Sequence, residues 1–411
     1  MNSNSSNTKL GASTGKRVCF VYKEDYPWDV RVEKILLALS AAEYKMSLVC
    51  RNTKRRSRQE TTANFDIFRL PALPGFLGKL GSLLSTPFYF NPFWLFWMWY
   101  YARSIKPQLI IIRDLPLMPL GIVIGKLLGI RIIFDMAECY PEMYASTMKF
   151  SNAKVGKFVL KNPGLARMME KFSFRHASHI FVMIEESRDR LIRLGADPAK
   201  ITIVSNTPTN EGVDATPNEG QYGLLRLLYV GYVTRIRGID NVLHGLRAYL
   251  DGCDNPVRIQ FDVVGIGAAL TYYRQLCKEL QLESHVTFHG WCEQEIVDEL
   301  YASSDLGILT YHVCSHWNNT IPNKLFDYMQ AGMPVLATDV VPIKRIVEEE
   351  GCGMIFPDND ATSFAACLEV LSDPARRIAM GLNGIKAVKN RYSWEIDTTR
   401  MLGSLSGLSP N

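Results

Sequence analysis

Arg17–Tyr22 (RVCFVY) is a short apolar run, and Val30–Ala41 (VRVEKILLALSA) follows it with apolar residues at helical spacing. Strand then helix is therefore the unit. The alternation continues through strand candidates Lys45–Cys50, Phe65–Leu70, Gln108–Arg113, Ile130–Asp135, His179–Ile184 and Ile201–Val204, with helical stretches between several of them. Repeated β and α segments predict a parallel sheet covered on both faces. From 207 to 223 the chain reads TPTNEGVDATPNEGQYG, dense in Pro, Gly, Thr and Asn, which is linker chemistry. A second series follows, with strand candidates Leu224–Val230, Val257–Val264, His285–His289, Asp305–Thr310, Pro334–Thr338 and Cys352–Phe356. The expected organisation is a disordered leader over 1–15, a Rossmann-like domain over 16–206, a linker over 207–223, a second Rossmann-like domain over 224–391 and a C-terminal helix in 392–411 packing back on the first domain. The fold class is α/β, two doubly wound domains facing a cleft at the carboxyl ends of their strands.

The chain has 411 residues, with 47% hydrophobic and 21% charged, which excludes disordered, collagen-like and coiled-coil classes. Lys plus Arg (46) exceed Asp plus Glu (41) by five, so global charge gives no case for a nucleic-acid partner. Nine cysteines are scattered with no C-x-x-C, which fits reduced thiols and a cytoplasmic compartment rather than a disulfide framework. The stretch Met1–Gly15 is polar, rich in Ser and Asn, and shows no apolar signal-peptide core.

Leu80–Ala102 carries no charge, and Phe93–Tyr101 reads FWLFWMWYY. With Pro87 and Pro92 interrupting it, the helix expected from Pro92 to Arg103 is about 18 Å long, too short to span a ~30 Å hydrocarbon core. It is either a core helix or an aromatic helix at a membrane interface, making peripheral contact through Phe93–Tyr101. The basic run Lys54–Arg58 (KRRSR) is a solvated loop or a contact for anionic headgroups.

The chemistry concentrates in Tyr311–Asp339. A helix beginning at Pro322 or Asn323 should end near Ala331, because Gly332 suits the C′ position and Pro334 forbids continuation. Its free N–H groups, with the Thr320 hydroxyl and the Lys324 ammonium, suit a diphosphate. Asp327, one turn on, can accept from vicinal hydroxyls; a solvated helix face is the alternative. In Tyr229–Gly238 (YVGYVTRIRG), Arg235 and Arg237 follow a strand end where bidentate phosphate contacts are expected. Gly265-Ile266-Gly267 is a second tight turn. His312, Cys314 and His316 alternate and could bind zinc, though no fourth ligand is evident. Asp358-Asn359-Asp360 is read as a helix cap rather than a metal motif.

YVGYVTRIRGID, FDVVGIG, HVTFHG, SSDLGILTY, PNKLFDYMQAGMPVLATD and RYSWE recur in order as in the nucleotide-sugar half of family 4 glycosyltransferases, and the chain resembles that family. DYPWDVRV, RDLPLMPLG, DMAECYPE and HASHIFVMIEES look like its acceptor half. The resemblance implies a GT-B fold and retaining, metal-independent transfer of sugar from a nucleotide-diphosphate donor, a UDP-sugar first of all, to a glycan or lipid-linked acceptor, with no further cofactor. The family's two glutamates eight positions apart fall on Asn319 and Asp327. Its phosphate-binding Arg and Lys fall on Tyr232 and Arg237, with Arg235 a substitute, and a histidine of the acceptor half falls on Ala137. The implied catalytic residues are Asn319, Arg237 and Glu138. The implied donor contacts are Arg235, Gly265, Thr320, Asn323, Lys324, Leu325 and Asp327. A catalytically degenerate scaffold and a nucleotide-sugar epimerase of the same shape are the competing readings.

Overall fold

A computed structural model describes residues 15–27, 29–73, 86–150, 161–210, 216–218, 220, 223–253 and 256–408. All but the last residue of the expected leader, and part of the expected linker, lie outside the described residues. The chain divides into two compact units: residues 1–144, 153–204 and 398–411 form one, and 145–152 with 205–397 form the other.

In the first unit the strands are β1 (Arg17–Asp25), β2 (Lys45–Arg51), β3 (Gln59–Thr61), β4 (Phe65–Arg69), β5 (Leu109–Arg113), β6 (Arg131–Met136), β7 (His179–Val182) and β8 (Ile201–Ile203). They form one sheet in the order β3-β4-β2-β1-β5-β6-β7-β8. Every pairing is parallel except β3 with β4, a short antiparallel edge that the sequence reading omits. Its three residues are all exposed, so no apolar alternation marks it. The inner strands are near-continuous apolar runs such as LIIIR in β5, buried along four of five positions, as a sheet covered on both faces requires. Helix Val30–Ala41 starts where expected because the Asp29 carboxylate accepts from Val32 N at 3.0 Å. Just inside it, Arg31 is 2% exposed and donates from Nη2 at 2.5 Å to Asp135, itself fully buried, and from Nη1 at 2.8 Å to the Val204 carbonyl. This pair ties the first helix to β6 and to the end of the unit's last strand.

Helix Pro92–Ile105 is capped by Asn91, whose side chain accepts from Phe93 N and Trp94 N, and Pro92 sits at the first helical position. Its two expected roles fall on two faces. Trp94, Met98, Tyr101 and Ala102 are buried at i, i+4, i+7 and i+8, and the Tyr101 hydroxyl donates to the Arg69 carbonyl at 2.9 Å. Phe96, Trp99 and Tyr100 stay 53%, 37% and 48% exposed. Among the described residues no helix is long and apolar enough to cross a membrane.

In the second unit β9 (Leu224–Val230), β10 (Arg258–Val264), β11 (Val286–Gly290), β12 (Leu306–Leu309), β13 (Val335–Thr338) and β14 (Gly353–Phe356) form a parallel sheet in the order β11-β10-β9-β12-β13-β14. All nine cysteines are free; Cys253, Cys292 and Cys314 are partly exposed and the other six are buried.

Asp135→Ala leaves the Arg31 charge buried without its carboxylate and should cost about 3 to 5 kcal/mol, read as a lower denaturant midpoint at unchanged slope. An Arg31→Met, Asp135→Leu double variant should recover most of that loss. A single variant of wild-type stability would show that the pair does not hold the first helix in place.

Candidate active site in the second unit

The order of the second sheet reverses between β9 and β12, so the loops that leave these neighbouring strands meet at their carboxyl ends. The loop after β9 begins at Gly231, with φ +142°, and passes against Gly265, with φ +134°. A Cβ on Gly265 would lie 1.9 Å from the Gly231 carbonyl oxygen, and a Cβ on Gly231 would lie 2.1 Å from Lys324 Nζ. Gly231 N donates to Val264 O at 2.8 Å, and Gly265 N to Gly290 O at 2.6 Å. Gly265 thus marks the tight turn expected of it, and the Lys324 side chain lies over bare backbone. The loop after β12 is bound to the first by Thr310 Oγ1, which donates to Gly238 O at 2.8 Å.

Two cations mark the place. Arg237 donates to the Tyr311 hydroxyl, and its guanidinium lies 4.8 Å from the Tyr311 ring centroid and 4.7 Å from that of Trp317. Lys324 Nζ lies 4.9 Å from the Tyr229 ring centroid, and among the described residues no carboxylate comes within ion-pair distance of it. Burial, and then the positive Arg237, push the Lys324 ammonium well below the usual lysine range, while Asp327 opposes that fall. Arg235 points to other partners: it stacks on Tyr272 at 3.6 Å and pairs with Asp240 at 3.7 Å.

The remaining expected residues fall as follows. Asn319 closes a 3-10 turn, and its side-chain amide donates to Ser315 O at 2.7 Å, within its own loop. Thr320 follows it and is 4% exposed. Asn323 precedes helix Lys324–Gln330, which ends at Ala331 with Gly332 at φ +71°, as its sequence predicts. The start of this helix does not offer the expected row of free N–H groups. Leu325 N already donates to Pro322 O, and Phe326 N and Asp327 N both donate to Asn323 O. Leu325 itself is fully buried and anchors the helix in the core. Binding an anion here therefore falls to side-chain cations rather than to helix N–H groups. Asp327 is half-buried one turn into the helix. Glu138 belongs to the first unit, half-buried just beyond β6.

A network that the sequence reading missed braces both loops. His312 bonds Asp358 from Nδ1 at 2.9 Å and Asp240 from Nε2 at 3.1 Å. Asn241 donates to Asp358 at 2.9 Å, and Val313 N does the same. Burial alone would lower the His312 pKa, but the hydrogen bonds and charges of Asp240 and Asp358 raise it to about 9. His316 stacks on Trp317 instead, and burial together with Arg237 pushes its pKa down to about 4. The zinc reading asked His312, Cys314 and His316 to converge; among the described residues no group of three or more His, Cys, Asp or Glu side chains is placed to hold a metal. Asp360 caps helix Ala361–Leu371 by accepting from Ser363 N at 2.9 Å, as expected of that motif. The signal for the missed network was the wide separation of Asp240, His312 and Asp358, which only the strand order joins.

A raised histidine pKa stabilises the fold fully below its ordinary value near 6.5, and that contribution is lost as pH rises through about 9. The depressed pKa values of Asp240 and Asp358 act at the other end, their contribution being lost as pH falls below the ordinary carboxylate range. The wild type should thus exceed His312→Gln by roughly 3 kcal/mol near pH 6, with the gap closing toward pH 9.5. Urea unfolding across that range measures it, and a gap independent of pH would refute an imidazolium at this position.

Comparison with known proteins gives this geometry a context. A family described as glycosyl transferases group 1 matches residues 225–373, and one described as glycosyl transferase 4-like domain matches residues 29–207. The chain is 23% identical over 63% of its length to D-inositol 3-phosphate glycosyltransferase of Thermomonospora curvata, covering 64% of that protein. It is 25% identical over 44% of its length to the putative colanic acid biosynthesis glycosyltransferase WcaL of Escherichia coli, covering 45% of it. The chain thus spans only part of the length of the curated relatives it matches, between 41% and 64% for three of them. Among solved structures, sucrose-phosphate synthase from Thermosynechococcus elongatus superposes with a TM-score of 0.74 at 19% identity, over 96% of this chain and 99% of the other. Anabaena HepE in complex with UDP-glucose gives 0.67 at 14% identity, over 95% and 99%. Both halves match, in the order that the motifs predict, and the chain belongs to the family 4 glycosyltransferases of GT-B fold.

Proposed function

We propose that this protein transfers a sugar from a nucleotide-diphosphate donor, a UDP-sugar, to a hydroxyl of a glycan or lipid-linked acceptor in polysaccharide or glycolipid biosynthesis, with retention and without a required metal. The observation that carries this reading is the pairing of Arg237 with Lys324, an ammonium that burial and a neighbouring cation both destabilise. A diphosphate bound there would bring negative charge beside both cations and favour the ammonium form of Lys324. When the anomeric C–O bond breaks, its electron pair moves onto the diphosphate oxygen, where the two cations stabilise the growing charge. The acceptor hydroxyl oxygen forms the new bond on the same face of the sugar, and its proton passes to the departing phosphate. Asp327 holds the ribose hydroxyls. Asn319 meets the donor sugar once its amide leaves Ser315, and Glu138 orients the sugar or the acceptor. The UDP-glucose held by HepE and the colanic acid role in the name of WcaL support this choice of donor and pathway.

The exposed side of helix Pro92–Ile105 supports peripheral docking on an anionic membrane. Phe96, Trp99 and Tyr100 form an aromatic strip, Arg58 from the basic loop lies 4.9 Å over the Trp97 ring, and Arg103 lies 5.6 Å over Trp99. Aromatic rings interleaved with cations suit the headgroup region.

Arg237→Ala should lower turnover about a hundredfold while changing nucleoside affinity little, because the charge it meets develops as the bond breaks. Asp327→Ala should weaken nucleotide binding about ten- to hundredfold. Nucleoside diphosphate release measured over a panel of nucleotide sugars and acceptors, with and without chelator, reads both. Sugar isomers formed without acceptor would replace transfer with epimerisation, no turnover at all would favour a binding scaffold, and activity lost to chelator and restored by a divalent ion would overturn the metal-free assignment.

For the membrane, replacing Phe96, Trp99 and Tyr100 with Ser should release the folded protein from anionic liposomes and leave nucleotide binding intact. Trp94→Ser, in contrast, empties a fully buried site and should cost about 3 to 5 kcal/mol of stability. Wild-type protein that stays in the supernatant after liposome sedimentation at low salt would rule the docking out.

A further inference from the structure

A cavity of about 530 Å³ in the first unit opens at the amino edge of its sheet, where β1, β5 and β6 begin. Ligands of open α/β sheets sit at the carboxyl edge, so this cavity is separate from any site built by the loops that follow the strands. Lys16, Arg17, Lys126, Arg131 and His176 line it, and no aspartate or glutamate does. Among the described residues no carboxylate comes within ion-pair distance of Lys16, Arg17 or Lys126. Arg17 is held in place, its Nε donating to Lys106 O at 2.9 Å and its backbone N to Gln108 Oε1 at 2.6 Å. Apolar side chains, among them Ile122 and Leu128 from helix Met118–Leu128 and Leu405 and Leu408 near the end of the chain, share the wall with Gln108 and Ser178. Gly125 lets helix Met118–Leu128 close directly onto the start of β6, since a Cβ there would lie 2.7 Å from Ile130 O and 2.6 Å from Ile132.

A cluster of cations with no acidic residue in the same wall, beside apolar side chains in a cavity of ligand size, selects for charge and for a hydrocarbon body together. We propose that this cavity is a second binding site, for an organic phosphate with an apolar body, distinct from the donor site of the other unit and not dependent on the transferase reading. A lipid phosphate and a water-soluble phosphate ester share this chemistry, and chain length separates them.

Isothermal titration calorimetry with octyl phosphate, below its micelle concentration, tests the proposal against three comparison probes: inorganic phosphate, glucose 6-phosphate and neutral octyl glucoside. Octyl phosphate should bind at least tenfold more tightly than inorganic phosphate or octyl glucoside. Affinity that grows from butyl to octyl phosphate identifies a lipid-like source, equal affinity along that series a short water-soluble ester, and glucose 6-phosphate matching octyl phosphate would overturn the apolar body. The Lys16→Glu, Lys126→Glu variant, altered only at outward lysines, should lose at least tenfold in octyl phosphate affinity while its melting temperature and its UDP affinity stay unchanged. Equal binding of octyl phosphate and octyl glucoside, or octyl phosphate affinity unchanged in that variant, would overturn the site, and neither result bears on transfer activity.

Discussion

The passage of the Gly231 backbone beneath the Lys324 side chain is the constraint around which the second unit is arranged. No Cβ fits at Gly231 or at Gly265 without striking the ammonium or the neighbouring carbonyl, so two strand ends close to direct backbone contact and the cation is fixed above them. Every other piece of the site follows from that closeness. Tyr229 supplies the ring on one side, Tyr311 and Trp317 hold Arg237, and the Asp240–His312–Asp358 brace keeps the two loops together. Two like charges in a half-buried setting repel, and the fold tolerates this by pairing them with ring faces, which offer negative potential without neutralising charge.

The first unit treats the corresponding place in the opposite way. Its strand order reverses between β1 and β5, and the charged residues there are matched: Arg113 reaches Asp29 at 2.6 Å, and Lys23 reaches Asp114 at 3.4 Å. Asp114 adopts φ +69°, a conformation unusual for a residue with a side chain, and such strain gathers where loops are shaped for use. The switch point of the first unit thus pairs its cations with carboxylates, whereas that of the second sets Arg237 and Lys324 against aromatic rings.

How much of this was legible in the chain depended on whether the signal was local. The apolar runs from Arg17 to Phe356 placed the main strands to within three residues at either end, because strands buried on both faces leave unbroken stretches of Val, Ile and Leu. Gly332 and Asp360 announced a helix end and a helix start through chemistry confined to one turn. The exposed edge β3 left no trace, since its three residues are polar and all exposed and so show no apolar alternation. Lys324 and Arg237 were named from the sequence, but the rings that hold them were not, because aromatic residues serve cores as readily as cation sites. The role of His312 was hidden for a different reason: its two carboxylate partners lie 72 and 46 positions away, and only the sheet brings them together.

The uneven burial of the thiols has a practical consequence. Maleimides and iodoacetamides react with the thiolate, and burial pushes Cys19, Cys50, Cys139 and Cys352 up to about 12, so these stay protonated as well as shielded. Cys314 is partly exposed and stands in the same loop as Trp317, whose ring faces Arg237. With the equally part-exposed Cys253 and Cys292 replaced by Ser, a fluorophore attached there under native conditions would ride on the loop that carries Trp317, turning a native side chain into an optical reporter of whatever the two charges take up.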